Sequence, residues 1–197
     1  MHIAVFASHG GSNLQSLIDG CESGLIPARI VLVVCNNKKA YALERATKHN
    51  IPTLAITEKD FASYEEYALS LVAKLRKAEA DLICLAGYMK MIPLELLREY
   101  HNRIVNIHPA LLPKFGGKGM YGIHVHEAVL AAGETETGVS IHLVDEHYDH
   151  GKILAQRRVK VLPDDTPESL QQRVLQIEHE LYPETVAKIA SGGIKLE

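Results

Sequence analysis

Apolar positions along the chain follow two alternating rhythms. Short runs at Ile3–Ala7, Ile30–Cys35, Thr53–Ile56 and Asp81–Ala86 have the length and bounds of strands. Between them the spacing shifts to three and four, which predicts amphipathic helices. Leu14, Leu17 and Ile18 follow the first run, Ala40–His49 the second, and Tyr64, Tyr67, Ala68, Leu71, Val72, Leu75 and Ala78 the third. Asn50 and Pro52 stop the second helix, and a further one starts near Pro93. Strand and helix in alternation describe a parallel sheet covered on both faces.

The next run, Arg103–Pro113, reads RIVNIHPALLP. Ile104, Val105 and Ile107 suit a strand. Pro109 removes a backbone donor and pushes His108 into an extended conformation, so the strand stops there. Side chains alternate along a strand, so Asn106 and His108 project to one side at its carboxyl end. Ile123–Ala132 predicts a helix ending at Gly133. Gly138–Val144 alternates like a strand and Ile153–Val161 returns as another, with no long helix between them, so this half is antiparallel. Thr166 caps and Pro167 opens a last helix with an apolar stripe of Leu170, Val174, Ile177 and Leu181, and Glu178 lies at its edge. The fold expected is α/β: a mostly parallel, doubly wound (Rossmann-like) sheet in the N-terminal half, continued by antiparallel strands and a long C-terminal helix. No linker or repeat divides residues 1–197, so a single domain is expected.

Composition narrows the classes. The chain is 47% hydrophobic and 23% charged, the balance of a soluble globular protein. Its net charge of −3, without a long block of like charge, argues against a nucleic-acid surface and leaves room for a small anionic ligand. Cys21, Cys35 and Cys84 are odd in number and far apart, which suggests reduced thiols. The apolar run at the amino terminus is short and has no basic leader, and no stretch is long enough for a membrane helix. A cytoplasmic protein with no membrane partner is expected.

Candidate chemistry gathers at strand ends, where ligands of open α/β sheets bind. An amide beside an imidazole, as at Asn106 and His108, suits holding an oxyanion and moving a proton; a strand end whose polar groups meet water is the alternative. Gly10 and Gly11 let the backbone approach a ligand, Ser12 or Asn13 can cap the helix that follows, and its free amides suit a phosphate. The turn has neither G-x-x-x-x-G-K-[ST] nor G-x-G-x-x-G, and the second strand ends in Asn36-Asn37, which disfavours a nicotinamide cofactor. Gly87–Ile92 is either the wall of a flat ligand's slot or an ordinary turn. Lys114–Gly122, with four glycines and two lysines, is either a lid or a solvated connection. Asp145, Glu146, His147, Asp149 and His150 invite a metal, but zinc ligands need a shared geometry that this loop does not advertise. An acid from this loop oriented towards His108 is the better use, since a carboxylate beside an imidazole favours its protonated form.

Six stretches then carry a resemblance: G-S-N-L-Q at Gly11–Gln15, Leu85–Met89, N-I-H-P-A-L-L-P at Asn106–Pro113, Gly138–His142, Asp149-x-Gly151 and Gln176-x-Glu178-His179. In this order the chain resembles the phosphoribosylglycinamide formyltransferases, among the folate-dependent formyltransferases. The resemblance implies formyl transfer from 10-formyltetrahydrofolate, as cosubstrate, to the amine of glycinamide ribonucleotide in purine (IMP) biosynthesis. It implies that His108 is the general acid, that Asn106 holds the oxyanion and that Asp149 raises the histidine's pKa. Gly11, Ser12 and Asn13 would cradle the 5-phosphate and Glu178 the sugar or glycinamide. Met89, Lys90, Met91 and Ile92, with Asn106 and the loop Asp145, Glu146, His147, Tyr148 and Asp149, would receive the folate between apolar walls of Leu85, Met91, Leu97, Ile104 and Val144. Residues 1–108 would form the nucleotide-binding half, and 109–197 the half with the flexible loop, the catalytic Asp and the last helix. No metal is expected, nor nucleic acid, and the chain would be a monomer or homodimer. Two departures stand out: Tyr64 replaces a basic residue found in many relatives, with Lys114 or Lys118 as candidate substitutes, and the loop Gly116–Gly122 is longer and richer in glycine. Competing readings are a formyltetrahydrofolate hydrolase or other formyltransferase, a non-catalytic nucleotide- or folate-binding module, and a metal hydrolase.

Overall fold

The computed structural model describes residues 1–196. The chain runs β1 (His2–Ala7), α1 (Ser12–Glu22), β2 (Arg29–Cys35), α2 (Tyr41–Lys48), β3 (Thr53–Ala55), α3 (Tyr64–Lys77), β4 (Leu82–Leu85), α4 (Leu94–Glu99), β5 (Ile104–His108), α5 (Ile123–Ala131), β6 (Glu136–Leu143), β7 (Ile153–Lys160) and α6 (Pro167–Ala190). These strands form one sheet in the order β3-β2-β1-β4-β5-β6-β7. The pairs from β3 through β5 are parallel, and β6 and β7 continue antiparallel. The mixed sheet and the long last helix agree with the fold expected from the pattern.

Alternation along each strand divides the interior in two. Ile3, Val5, Cys84, Val105 and Ile107 pack with residues of α1, α2, α5 and α6. Ala4, Phe6, Ile83, Leu85 and Ile104 pack with residues of α3 and α4. Asn106 and His108 continue the second series, two and four residues beyond Ile104. Connections leave β1 towards β2 on one side and arrive at β4 on the other, so the chain reverses between these neighbours. At such a reversal the strand ends splay apart and open a crevice. The turns after β1 and β4 border it.

Two local expectations are corrected. Neither Ser12 nor Asn13 caps α1 with its side chain; Gly11 is the cap, with φ 70°. A Cβ at Gly11 would lie 2.7 Å from the Ala42 Cβ, so backbone dihedral and close packing against α2 both require glycine there. On α6, Glu178 lies within the buried stripe of Leu170, Val174 and Leu181, while Ile177 is only half-buried. The reason is Asn13, buried on α1, whose Nδ2 donates to Glu178 Oε2 at 2.5 Å. The helix therefore turns its carboxylate inward to meet an amide. Thr166 caps α6 as expected, accepting from the Ser169 amide. Tyr182, fully buried on the same helix, donates its hydroxyl to the carbonyls of Leu85 (3.0 Å) and Val105 (3.2 Å). That contact ties α6 to the carboxyl ends of β4 and β5, one residue before Asn106.

Candidate active site

Antiparallel pairing of β5 with β6 sets Asn106 opposite His142 and His108 opposite Ser140. The loop after β6 then returns Asp149 to the same place. Its Oδ2 lies 3.6 Å from His108 Nδ1, and its Oδ1 lies 3.4 Å from Asn106 Nδ2 and 3.5 Å from His142 Nε2. The Gly117 amide donates to Oδ2 at 2.9 Å. Asn106, His108 and Asp149, separated by up to 43 residues, thus meet in one half-buried cluster. Two backbone features make the loop's return possible. A Cβ at Gly151 would run into the Leu143 carbonyl oxygen, so the glycine of Asp-x-Gly lets the loop hug β6. Asp149 itself has φ 55°, as does Phe115 on the other side of His108. Left-handed backbone at a non-glycine residue costs about 1–2 kcal/mol, so both segments that meet this imidazole carry strain.

Hydrogen bonding assigns the protons. His108 Nε2 lies 2.8 Å from the Phe115 carbonyl, which only an N–H can satisfy. A neutral ring would then turn the Nδ1 lone pair towards Asp149, and the contact becomes attractive when Nδ1 also carries a proton. His142 Nδ1 similarly donates to the Leu143 carbonyl at 2.7 Å, leaving Nε2 to accept from Asn106 Nδ2 at 3.1 Å. One N–H of the Asn106 amide is thereby anchored, and the other makes only the long contact with Asp149, which an oxyanion could replace.

Burial is the largest influence on His108 and lowers its pKa; Asp149 and the Phe115 carbonyl oppose it, and the His142 ring adds to it. The sign of the Asp149 effect is the one expected, but desolvation outweighs it. Asp149 is pushed up by burial, yet the neighbouring His142 ring, the charge of His108 and the Gly117 amide together hold it below the ordinary carboxylate range.

A second group lies at the α1 end of the crevice. Gly11 and Ser12 are half-buried, and Asn13 is buried against Glu178. Burial raises Glu178 to about 7, although the Asn13 donor pulls the other way. Asn13 Oδ1 and His179 Nε2 are buried without hydrogen-bond partners, so polar capacity is left over beside the turn. Arg45 reaches it from α2, donating from Nε to the Gly10 carbonyl (2.8 Å) and from Nη1 to Gln15 Oε1 (3.1 Å). Lys114 instead pairs with Glu134 at 2.8 Å.

The turn after β4 forms a third wall. Ser8 Oγ accepts from the Met89 amide at 2.8 Å and fastens it to the end of β1. Met89 and Met91 are 39% and 44% exposed, whereas Ile92 is buried; Lys90 Nζ lies 3.8 Å from Glu58. Leu85 and Ile104 are buried beneath this edge, with Leu97 and Val144 packed on them. In the loop beyond β6, Glu146, His147 and Tyr148 face solvent and Asp145 is half-buried. Tyr64 is exposed on α3, its ring 5.8 Å from Tyr67.

Sequence reasoning missed four contributors: His142, the Phe115 carbonyl, the Gly117 amide and Arg45. His142 was visible as a polar residue on an alternating strand, but its partner depends on the strand register. The backbone groups of Phe115 and Gly117 leave no trace in residue type.

An open α/β sheet with an amide, an imidazole and a carboxylate converging at its carboxyl edge has the groups to hold an oxyanion and to move a proton. The chain belongs to the formyl transferase family, whose model matches residues 1–186. It is 47% identical, over 98% of its length, to a chloroplastic phosphoribosylglycinamide formyltransferase of Arabidopsis thaliana, and spans 66% of that protein. It spans 62% of the corresponding Vigna unguiculata protein and 14% of a Drosophila melanogaster trifunctional purine biosynthetic protein, at 47% and 45% identity. The Haemophilus influenzae phosphoribosylglycinamide formyltransferase is 36% identical, with 99% of this chain and 90% of that one covered. Among solved structures, glycinamide ribonucleotide transformylase 1 from Symbiobacterium toebii superimposes with a TM-score of 0.93 at 36% identity, covering 100% of this chain and 91% of the other.

Proposed function

We propose that the chain transfers the formyl group of 10-formyltetrahydrofolate to the amine of glycinamide ribonucleotide, giving the N-formyl product and tetrahydrofolate in purine biosynthesis. The observation that carries this reading is the meeting of Asn106, His108 and Asp149 at one edge of the crevice whose other edge is the α1 turn. Family membership and the names of the relatives support it.

The nucleotide phosphate sits on the amides of Gly11, Ser12 and Asn13, with the α1 dipole and Arg45 opposing its charge. Glu178, poised near neutrality, and the spare Asn13 Oδ1 take the sugar hydroxyls or the glycinamide. The folate lies between Met89–Ile92 and Asp145–Asp149, with its pterin against the apolar edge. Placing the amine beside the formyl carbon supplies much of the rate, because it removes the entropy of encounter. The amine attacks that carbon, and the oxygen becomes an oxyanion held by the free N–H of Asn106 and the protonated His108 ring. Such a donor is worth about 3–4 kcal/mol. His108 gives the Nδ1 proton to the departing folate nitrogen, and Asp149 takes the proton lost by the attacking amine and returns it to Nδ1. Atoms balance without a metal or a covalent enzyme intermediate. The free thiols of Cys21, Cys35 and Cys84 agree with a cytoplasmic location, and no helix among the described residues is long and apolar enough to cross a membrane.

Absorbance of the folate, followed with and without glycinamide ribonucleotide, tests the reading. Loss of formyl donor that requires the ribonucleotide is expected. A rate that ignores the ribonucleotide would make the chain a hydrolase, and binding of both ligands without turnover would make it a binding module.

A further inference from the structure

The loop that carries Asp149 holds ligating side chains that the reacting atoms do not touch in the proposed reaction. Asp145, His147 and His150 each offer one ligand atom, and these three atoms lie within 4.8 Å of one another. His150 Nδ1 is 2.9 Å from Asp145 Oδ2, and the two imidazole centroids are 5.6 Å apart. Asp145 Oδ1 accepts from the His147 amide at 2.8 Å, which sets the direction of the carboxylate before any ion arrives. His147 and His150 face solvent, so an ion has an open path to them.

From this geometry we infer that Asp145, His147 and His150 form a binding site for a first-row divalent transition ion of the zinc class, apart from the reacting atoms. Donor chemistry selects the ion: two imidazole nitrogens and one carboxylate oxygen suit zinc, cobalt or nickel, whereas magnesium and calcium prefer oxygen donors throughout. Three protein ligands leave at least one position for water. A solvent-exposed ion pair is the competing explanation for His150 and Asp145, whose side chains are 75% and 39% exposed. Such a pair contributes about 0–1 kcal/mol and gives no reason for a His147 nitrogen to lie within 4.8 Å of both. His124 and Glu127 make that simple pair elsewhere, at 3.0 Å, and are in no such cluster among the described residues. The ligands also bracket Asp149, one immediately after it and two before it. An ion joining them closes a ring around its left-handed backbone and restrains the loop that delivers its carboxylate. This last consequence rests on the formyl-transfer reading; the binding does not.

Untagged protein freed of metal with a chelator and titrated with cobalt(II) tests the site. One equivalent should give visible absorption bands of a low-symmetry nitrogen–oxygen site, lost on adding one equivalent of zinc. His147→Ala and His150→Ala should each weaken cobalt binding by more than about tenfold, and the pair should abolish the bands, while His124→Ala changes nothing. Far-ultraviolet circular dichroism of each variant confirms that it folds. Bands that survive in the double variant, or binding no tighter than that of the double variant, overturn the proposal. Formyl transfer measured on the same samples separates the two readings: bands without turnover refute the proposed function alone, and turnover without bands refutes the metal site alone.

Discussion

Replacing Asp149 by Asn keeps the side chain's shape and an oxygen for the Gly117 amide, and removes one negative charge 3.6 Å from His108 Nδ1. Two unit charges at that distance interact by about 4–5 kcal/mol at an effective dielectric of about 20. That attraction favours the imidazolium over the neutral ring. An opposite charge raises a histidine pKa, so its removal lowers one that burial already depresses. The protonated ring is then scarcer near neutral pH, and losing an interaction of about 4–5 kcal/mol, offset in part by solvent and the Asn dipole, should lower kcat by about 100- to 1000-fold. The turn at Gly11–Asn13 and Glu178 is untouched, so nucleotide affinity by titration calorimetry should stay within about twofold. Because the lost quantity is a proton on His108, the variant's rate should climb as pH is lowered where wild-type has levelled off. Steady-state turnover across pH, paired with calorimetry, reads all three. A variant within about threefold of wild-type kcat, or one whose nucleotide affinity falls as far as its turnover, would refute the electrostatic argument.

Burial pushes Glu178 up to about 7 in the folded chain from the 4.5 of an ordinary glutamate, so the folded state holds the extra proton between those values. Stability contributed by this group is therefore full below about pH 4.5 and lost as pH rises to about 7, by about 3 kcal/mol. Urea denaturation of Glu178→Gln should show its stability relative to wild-type growing by that amount over this window; parallel pH curves would count against it. Gly11→Ala meets both a positive φ and the Ala42 Cβ, and should cost about 1–3 kcal/mol of stability and raise KM for the nucleotide more than it lowers kcat. Tyr182→Phe removes a buried hydroxyl shared by two strand carbonyls, which should lower denaturation stability by about 1–3 kcal/mol with kcat close to wild-type; an unchanged midpoint would contradict the pinning role. Lys114→Ala should leave nucleotide affinity unchanged, since that lysine is occupied by Glu134, whereas Arg45→Ala should weaken it about tenfold in the same calorimetry.

Periodicity alone carried the element order, because strand and helix periods are properties of neighbouring residues that water enforces locally. Pro109 ending β5 and Thr166-Pro167 opening α6 were legible for the same reason: each acts on the backbone next to it. Asn106 and His108 facing one way followed from strand geometry. What remained hidden was contact between residues far apart in the chain. The inward turn of Glu178 depended on Asn13 arriving from α1, 165 residues away, and His142 became a partner of Asn106 once β6 paired with β5 in one register. Desolvation of His108 was equally out of reach, since it is the summed effect of everything packed around the ring. Local rules act through bonds and nearest neighbours, whereas registers, pKa shifts and meeting points arise from packing that no stretch of chain contains.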